Sequence, residues 1–108
     1  MDERQALIAF GAMSQKTRLK IVRLLVKAGP EGMAAGFIAE AAGVSASNVS
    51  FHLKELERGG LVTARWDARS IVYSADYQAL SGLIRFLLED CCAGNPAICQ
   101  PALATACC

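Results

Sequence analysis

The sequence predicts a mainly helical domain with one β-hairpin, in the order helix, helix, helix, helix, strand, strand, helix, followed by an irregular C-terminal tail. Three observations carry this. Apolar residues recur at helical spacing from the N-terminus to Arg58. The spacing changes to alternation between Leu61 and Ser74, in segments rich in Val, Ile, Thr and aromatics. Helical spacing then returns, and beyond Asp90 the prolines Pro96 and Pro101 keep the chain irregular.

Each element has its own signals. A short first helix is expected from Asp2 to Met13, with Leu7, Ile8 and Phe10 on its apolar side. Ser14 is the expected cap of a second helix, Gln15 to Ala28, which Gly29-Pro30-Glu31-Gly32 stops. The third helix covers Ala35 to Ala42, and Gly43-Val44 makes a tight turn. Ser45 caps a fourth, Ala46 to Arg58, ended by Gly59-Gly60. Two strands, Leu61–Trp66 and Ser70–Ser74, meet at the tip Asp67-Ala68-Arg69. Asp76 caps a fifth helix with Tyr77, Leu80, Leu83, Ile84, Leu87 and Leu88 on one stripe.

The 108 residues suit one domain, residues 1–90, and a separate tail, residues 91–108. Such a chain buries only a modest core, which favours a dimer. Hydrophobic residues are 54% and aromatics 6%, so the core must be built from Leu, Ile, Val and Ala. The net charge of +1 means that any nucleic-acid contact must use local basic patches. No signal segment or membrane span is evident, and a cytoplasmic protein with free thiols is expected.

The third and fourth helices and the glycine turn between them form a helix-turn-helix pattern. On the fourth helix Ala46, Val49, Leu53 and Leu56 share one narrow arc. Ser47, Asn48, Phe51, Lys54, Glu55 and Arg58 lie opposite, with Ser50 and His52 at the edges. Two readings fit: an amphipathic helix with Phe51 packed on a neighbour, or a recognition helix. In the second, Ser47, Asn48 and Ser50 meet base edges, Phe51 meets thymine methyls, and Lys54 and Arg58 meet phosphates. Turn, cap and following hairpin agree with the second. Arg65 and Arg69 flank the hairpin tip, where a wing would reach DNA; a solvated turn is the alternative. Lys16, Lys20, Arg23 and Lys27 form a basic stripe on the second helix, either phosphate-facing or simply solvated. Arg18 falls among apolar positions and is read as structural, snorkelling or ion-paired.

The run from Gly43 to Val62, GVSASNVSFHLKELERGGLV, resembles the recognition-helix signature of the ArsR-type metalloregulatory repressors. Thr17-Arg18-Leu19-Lys20-Ile21 resembles the start of their second helix, and the likeness covers roughly residues 5–92. The resemblance implies a winged helix-turn-helix homodimer, joined through its first and fifth helices, that represses from a palindromic double-stranded operator and leaves it when inducer binds. Half-sites would lie about 34 Å apart. The chain departs from the family in two places. Arsenical sensors often carry a Cys-Val-Cys motif before the recognition helix, where this chain has Phe37-Ile38-Ala39. Zinc sensors place His and acidic ligands on the last helix, whereas the one histidine here is His52.

All five cysteines fall in the last 18 residues, and an odd number does not complete a disulfide framework. The segment from Cys91 to Cys99 resembles a subgroup with ligands just after the last helix, which implies trivalent arsenic held by Cys91, Cys92 and Cys99. Arsenite, or antimonite, bonds three sulfurs, and soft thiolates select such ions, whereas zinc generally takes four ligands. Cys107 and Cys108 are alternative ligands. A redox-sensing or a zinc- or cadmium-sensing repressor of the same fold remains an alternative. A thiol enzyme fits poorly, because Cys91 and Cys92 follow Glu89-Asp90 at a helix C-terminus, where a thiolate is disfavoured.

Overall fold

The computed structural model describes residues 1–89; the tail with its cysteines lies outside the described residues. The elements run α1 (Glu3–Met13), α2 (Lys16–Ala28), β1 (Met33–Ala34), α3 (Ala35–Ala42), α4 (Ala46–Arg58), β2 (Val62–Asp67), β3 (Ser70–Ala75) and α5 (Tyr77–Glu89). This is the mainly helical, hairpin-bearing fold expected, with one short strand added.

Asp2 starts α1 with a reciprocal cap: its carboxylate accepts the Gln5 N–H at 2.8 Å, and the Gln5 side chain accepts the Asp2 N–H at 3.0 Å. The helix buries Ala6 and Ala9, and of the expected apolar side only Phe10 packs on the core; Leu7 is 64% exposed and Ile8 is exposed too. Small residues on the inner face let the α1 backbone approach α4. A Cβ added at Gly59 would lie 2.6 Å from the Ala12 methyl.

The cap of α2 is Gln15, not Ser14. Ser14 closes α1, donating its N–H to the Gly11 carbonyl, and the Gln15 side chain accepts the Arg18 N–H at 2.8 Å. With the two helices separated by so short a junction, Ser14 is already committed to the first. Inward-facing Ile21 and Leu25 of α2, Ile38 of α3, Leu53 and Leu56 of α4, and Leu61 are completely buried. Each such side chain stabilises the fold by about 1.5–3 kcal/mol relative to exposure. Ala46, expected in the apolar arc of α4, is exposed in the first turn.

The sheet is antiparallel with order β1-β3-β2. Met33 pairs with Tyr73, Arg65 with Val72, and Asp67 with Ser70. The hairpin loop is therefore the pair Ala68-Arg69, with Ala68 at a φ of 56°. Gly32 turns into β1 at a φ of +75°, so close to β3 that a Cβ would run into the Tyr73 carbonyl and the Ser74 hydroxyl.

The Asp76 carboxylate accepts the Ala79 N–H at 3.0 Å and opens α5 as expected. The Tyr77 hydroxyl donates to the Val26 carbonyl at 3.2 Å, tying α5 to α2. Of the predicted apolar stripe, Leu83 is buried, Leu80 is partly covered, and Ile84 and Leu87 face outward. α5 also packs on α1, so the two helices that touch each other both carry exposed apolar residues.

Candidate nucleic-acid interface

The geometry of α3, the turn and α4 follows from three residues. Gly43 adopts a left-handed φ of 72°, which ends α3 and reverses the chain at low steric cost. Its N–H bonds the Glu40 carbonyl at 3.2 Å, and the Val44 N–H bonds the Ala39 carbonyl at 3.1 Å. Ser45 then sits in extended backbone, and its hydroxyl accepts the Asn48 N–H at 3.2 Å. Val49, Leu53 and Leu56 are the buried ridge that seats α4 in the core.

The other side of α4 is open. Ser47, Asn48, Ser50, Phe51, Lys54 and Arg58 are all exposed, as the helical arc predicted. Phe51 is 57% exposed. Arg58 makes a surface ion pair with Glu55 at 3.2 Å, an attachment weak enough to exchange for a phosphate. Lys54 has no such carboxylate partner among the described residues.

His52 lies half-buried at the edge of this face. Its Nδ1 accepts the Arg18 Nε–H at 3.1 Å. Burial, and then the Arg18 charge, hold its pKa below the usual histidine value. Arg18 is structural, as expected, but it neither snorkels free nor joins an ion pair; it donates to His52 and to the Ala12 carbonyl.

The wing divides its two arginines. Arg69 occupies the exposed loop. Arg65 is pinned: one amino group donates to the Ser74 hydroxyl at 3.0 Å, the other to the Glu31 carbonyl, and Ser74 in turn donates to the Pro30 carbonyl at 3.2 Å. Its guanidinium braces the wing against the 29–32 turn instead of flanking the tip. Trp66, which the sequence reading passed over, is 74% exposed beside the loop. A large aromatic next to a hairpin tip was the available signal. The stripe of Lys16, Lys20, Arg23 and Lys27 is exposed on α2, opposite its buried residues.

Among the described residues no group of three or more His, Cys, Asp or Glu could hold a metal ion, and no helix is long and apolar enough to cross a membrane. Cys91, Cys92, Cys99, Cys107 and Cys108 all lie outside the described residues.

The comparisons with known proteins agree with this geometry. A family model described as a helix-turn-helix domain matches residues 13–65. The HTH-type transcriptional regulator YgaV of Escherichia coli K12 is 35% identical over 88 residues, covering 82% of this chain and 87% of that protein. An ArsR-like transcriptional regulator from Rhodococcus sp. RHA1 superposes with a TM-score of 0.71 at 30% identity, covering 83% of this chain and 81% of its own. A possible transcriptional regulator for arsenical resistance gives 0.65 at 32% identity, with 75% and 80% covered. A homodimeric winged helix-turn-helix DNA-binding domain from Mycobacterium bovis gives 0.64 at 28% identity, with 81% of each chain covered. A glycine-turned helix pair with an open polar face, a hairpin wing and relatives that regulate transcription converge: the chain belongs to the ArsR-type family of winged-helix transcriptional regulators.

Proposed function

We propose that this regulator is a homodimeric repressor that leaves a palindromic operator when trivalent arsenic, or antimony, is bound by Cys91, Cys92 and Cys99, with Cys107 and Cys108 as alternative ligands. The observation that carries the inducer reading is the crowding of all five thiols into the 18 residues that follow α5. Three thiolates satisfy trivalent arsenic, and no carboxylate or imidazole stands between Cys91 and Cys99. The description of one structural relative as a possible arsenical-resistance regulator supports the same reading.

The operator contacts follow from the open face of α4. Ser47, Asn48 and Ser50 address base edges, Phe51 a thymine methyl, Lys54 and Arg58 phosphates, and Arg69 the backbone or minor groove beside the wing. Arg65 serves this contact by bracing the wing.

Exposed Leu7 and Ile8 on α1 and Ile84 and Leu87 on α5 supply the apolar surface a second subunit would cover. The homodimeric relative supports that assembly. Ligation at the end of α5 would then act on a helix that packs on α1, and α1 in turn packs on α4. A coupling of about 1–3 kcal/mol along this route lowers operator affinity several-fold or more.

The test is operator binding by the reduced full-length protein and Cys91→Ser, with arsenite, antimonite, zinc, cadmium and peroxide each added in turn. Arsenite is expected to weaken wild-type binding several-fold and to act much less on Cys91→Ser. Equal release of both proteins overturns the ligand assignment. Release by zinc, cadmium or peroxide alone overturns the metalloid reading in favour of a metal- or redox-sensing repressor.

A further inference from the structure

The Arg18 guanidinium meets three electron-rich partners at once. Nε donates to Nδ1 of His52 at 3.1 Å, and Nη1 donates to the Ala12 carbonyl at 3.4 Å. The central carbon lies 5.5 Å from the centroid of the Phe51 ring. None of these partners is negatively charged, and among the described residues the one ion pair is Arg58 with Glu55. Arg18 is itself half-buried, where a cation gains more from lone pairs and a π face than it would in bulk water.

The set is closed. Phe51 meets the His52 ring edge-on, with centroids 5.6 Å apart and planes at 63°. Each of the three side chains therefore touches the other two. His52 and Phe51 are neighbours on α4, and Arg18 reaches them from the first turn of α2. Phe51 nonetheless remains 57% exposed. One part of the ring is gripped while the rest looks outward from the open face of α4.

A free phenylalanine on a helix surface samples several rotamers, and fixing one upon binding costs affinity. A ring held beforehand avoids that cost and can discriminate bases that differ by one methyl. We infer that Arg18 is a positioning residue for base recognition: from α2, together with His52, it holds the Phe51 ring in the orientation that meets a thymine methyl in the major groove. The inference rests on reading α4 as the recognition helix with Phe51 as its apolar contact. Arg18 touches no base itself.

The geometry depends on the guanidinium in particular. A planar fork donates to an imidazole and a carbonyl while lying against a ring; a lysine ammonium is a compact point charge on a flexible stem. Arg18→Lys therefore keeps the charge and loses the grip.

The experiment uses the reduced full-length wild type, Arg18→Lys and Phe51→Ala. Each is titrated with the duplex that the wild type selects from a random library. The same is done with copies in which each thymine in turn is replaced by uracil, a change that deletes only the 5-methyl group. The wild type is expected to lose affinity several-fold at one thymine per half-site. Phe51→Ala should abolish that loss. Arg18→Lys should reduce it to less than half, while losses at other thymines persist. If Arg18→Lys weakens every duplex in equal proportion and keeps the thymine-specific loss, its role is only structural and the inference falls alone. If Phe51→Ala keeps the wild-type loss, the reading of Phe51 as a base contact falls and the inference with it. A measurement that does not rely on a folded variant completes the test. In the free wild type the Arg18 Nε–H resonance should be displaced from its random-coil position by the Phe51 ring; an undisplaced signal overturns the clamp.

Discussion

His52 is the clearest case of chemistry decided by a single neighbour. Its hydrogen bond requires an unprotonated Nδ1, since a protonated ring has no acceptor to offer Arg18. Burial and then the Arg18 cation lower its pKa, so the folded chain resists a proton that the unfolded chain accepts near the ordinary value of about 6.5. The sign follows: between the two values the unfolded state binds more protons, so stability is full above the ordinary value and is lost as pH falls through it towards the lower folded value. Urea midpoints are expected to drop between pH 7.5 and 5.5 in the wild type and to drop less in His52→Gln. No other histidine is present to produce the same slope. At this scale the sequence was legible for exposure but not for partnership. The helical arc placed Phe51, Lys54 and Ser47 outside, while the Arg18–His52 contact, 34 residues apart in the chain, had no local signal. Arg65 shows the same limit, since its partners come from the 29–32 turn and from β3.

The elements were legible wherever a cap or a period was strong. α3 and α4 begin and end where Ser45, Gly43 and the apolar spacing put them. β1 was not legible, because two residues carry no alternation; its pairing with β3 is set by Gly32, whose missing side chain lets the chain lie against Tyr73. The first cap of α2 was misassigned because residue preference ranks Ser14 above Gln15, whereas the short junction uses Ser14 to close α1. The caps of α4 yield a direct test. Ser45→Ala removes the acceptor for the Asn48 N–H and is expected to destabilise the domain by about 1 kcal/mol. For a domain this size that lowers the thermal midpoint by roughly 4–8 °C. Scanning calorimetry reads the shift, and an unchanged midpoint would remove the cap from the account of how α4 is held.

For the whole molecule, the resemblance pointed to the first and fifth helices as the subunit contact, but which of their apolar residues face outward was not legible. The sequence showed Leu7, Ile8, Ile84 and Leu87 as apolar at helical positions, which is the same signal a core residue gives. Only the structure separates them: Ala6, Ala9 and Leu83 fill the interior, and Leu87 is left 51% exposed. In the proposed dimer, charge placed on this surface should separate the subunits without unfolding them. Leu7→Glu combined with Leu87→Glu is expected to sediment as a monomer, to keep its helical circular dichroism, and to lose high-affinity binding to a two-half-site duplex. A variant that still sediments as a dimer would move the subunit contact elsewhere.

The junction of Gly59 with Ala12 has one more consequence. Two helices touch there through a hydrogen and a methyl, with no long side chain between them to bend or rotate out of the way. Such a joint leaves little slack, so a shift of α1 should pass directly to the C-terminal end of α4. A single added carbon at Gly59 should act as a shim, prising that end outward and changing the angle at which the helix enters a groove. Gly59→Ala is therefore expected to remain folded by circular dichroism yet bind duplex DNA at least several-fold more weakly, and normal affinity would mean that the joint has slack.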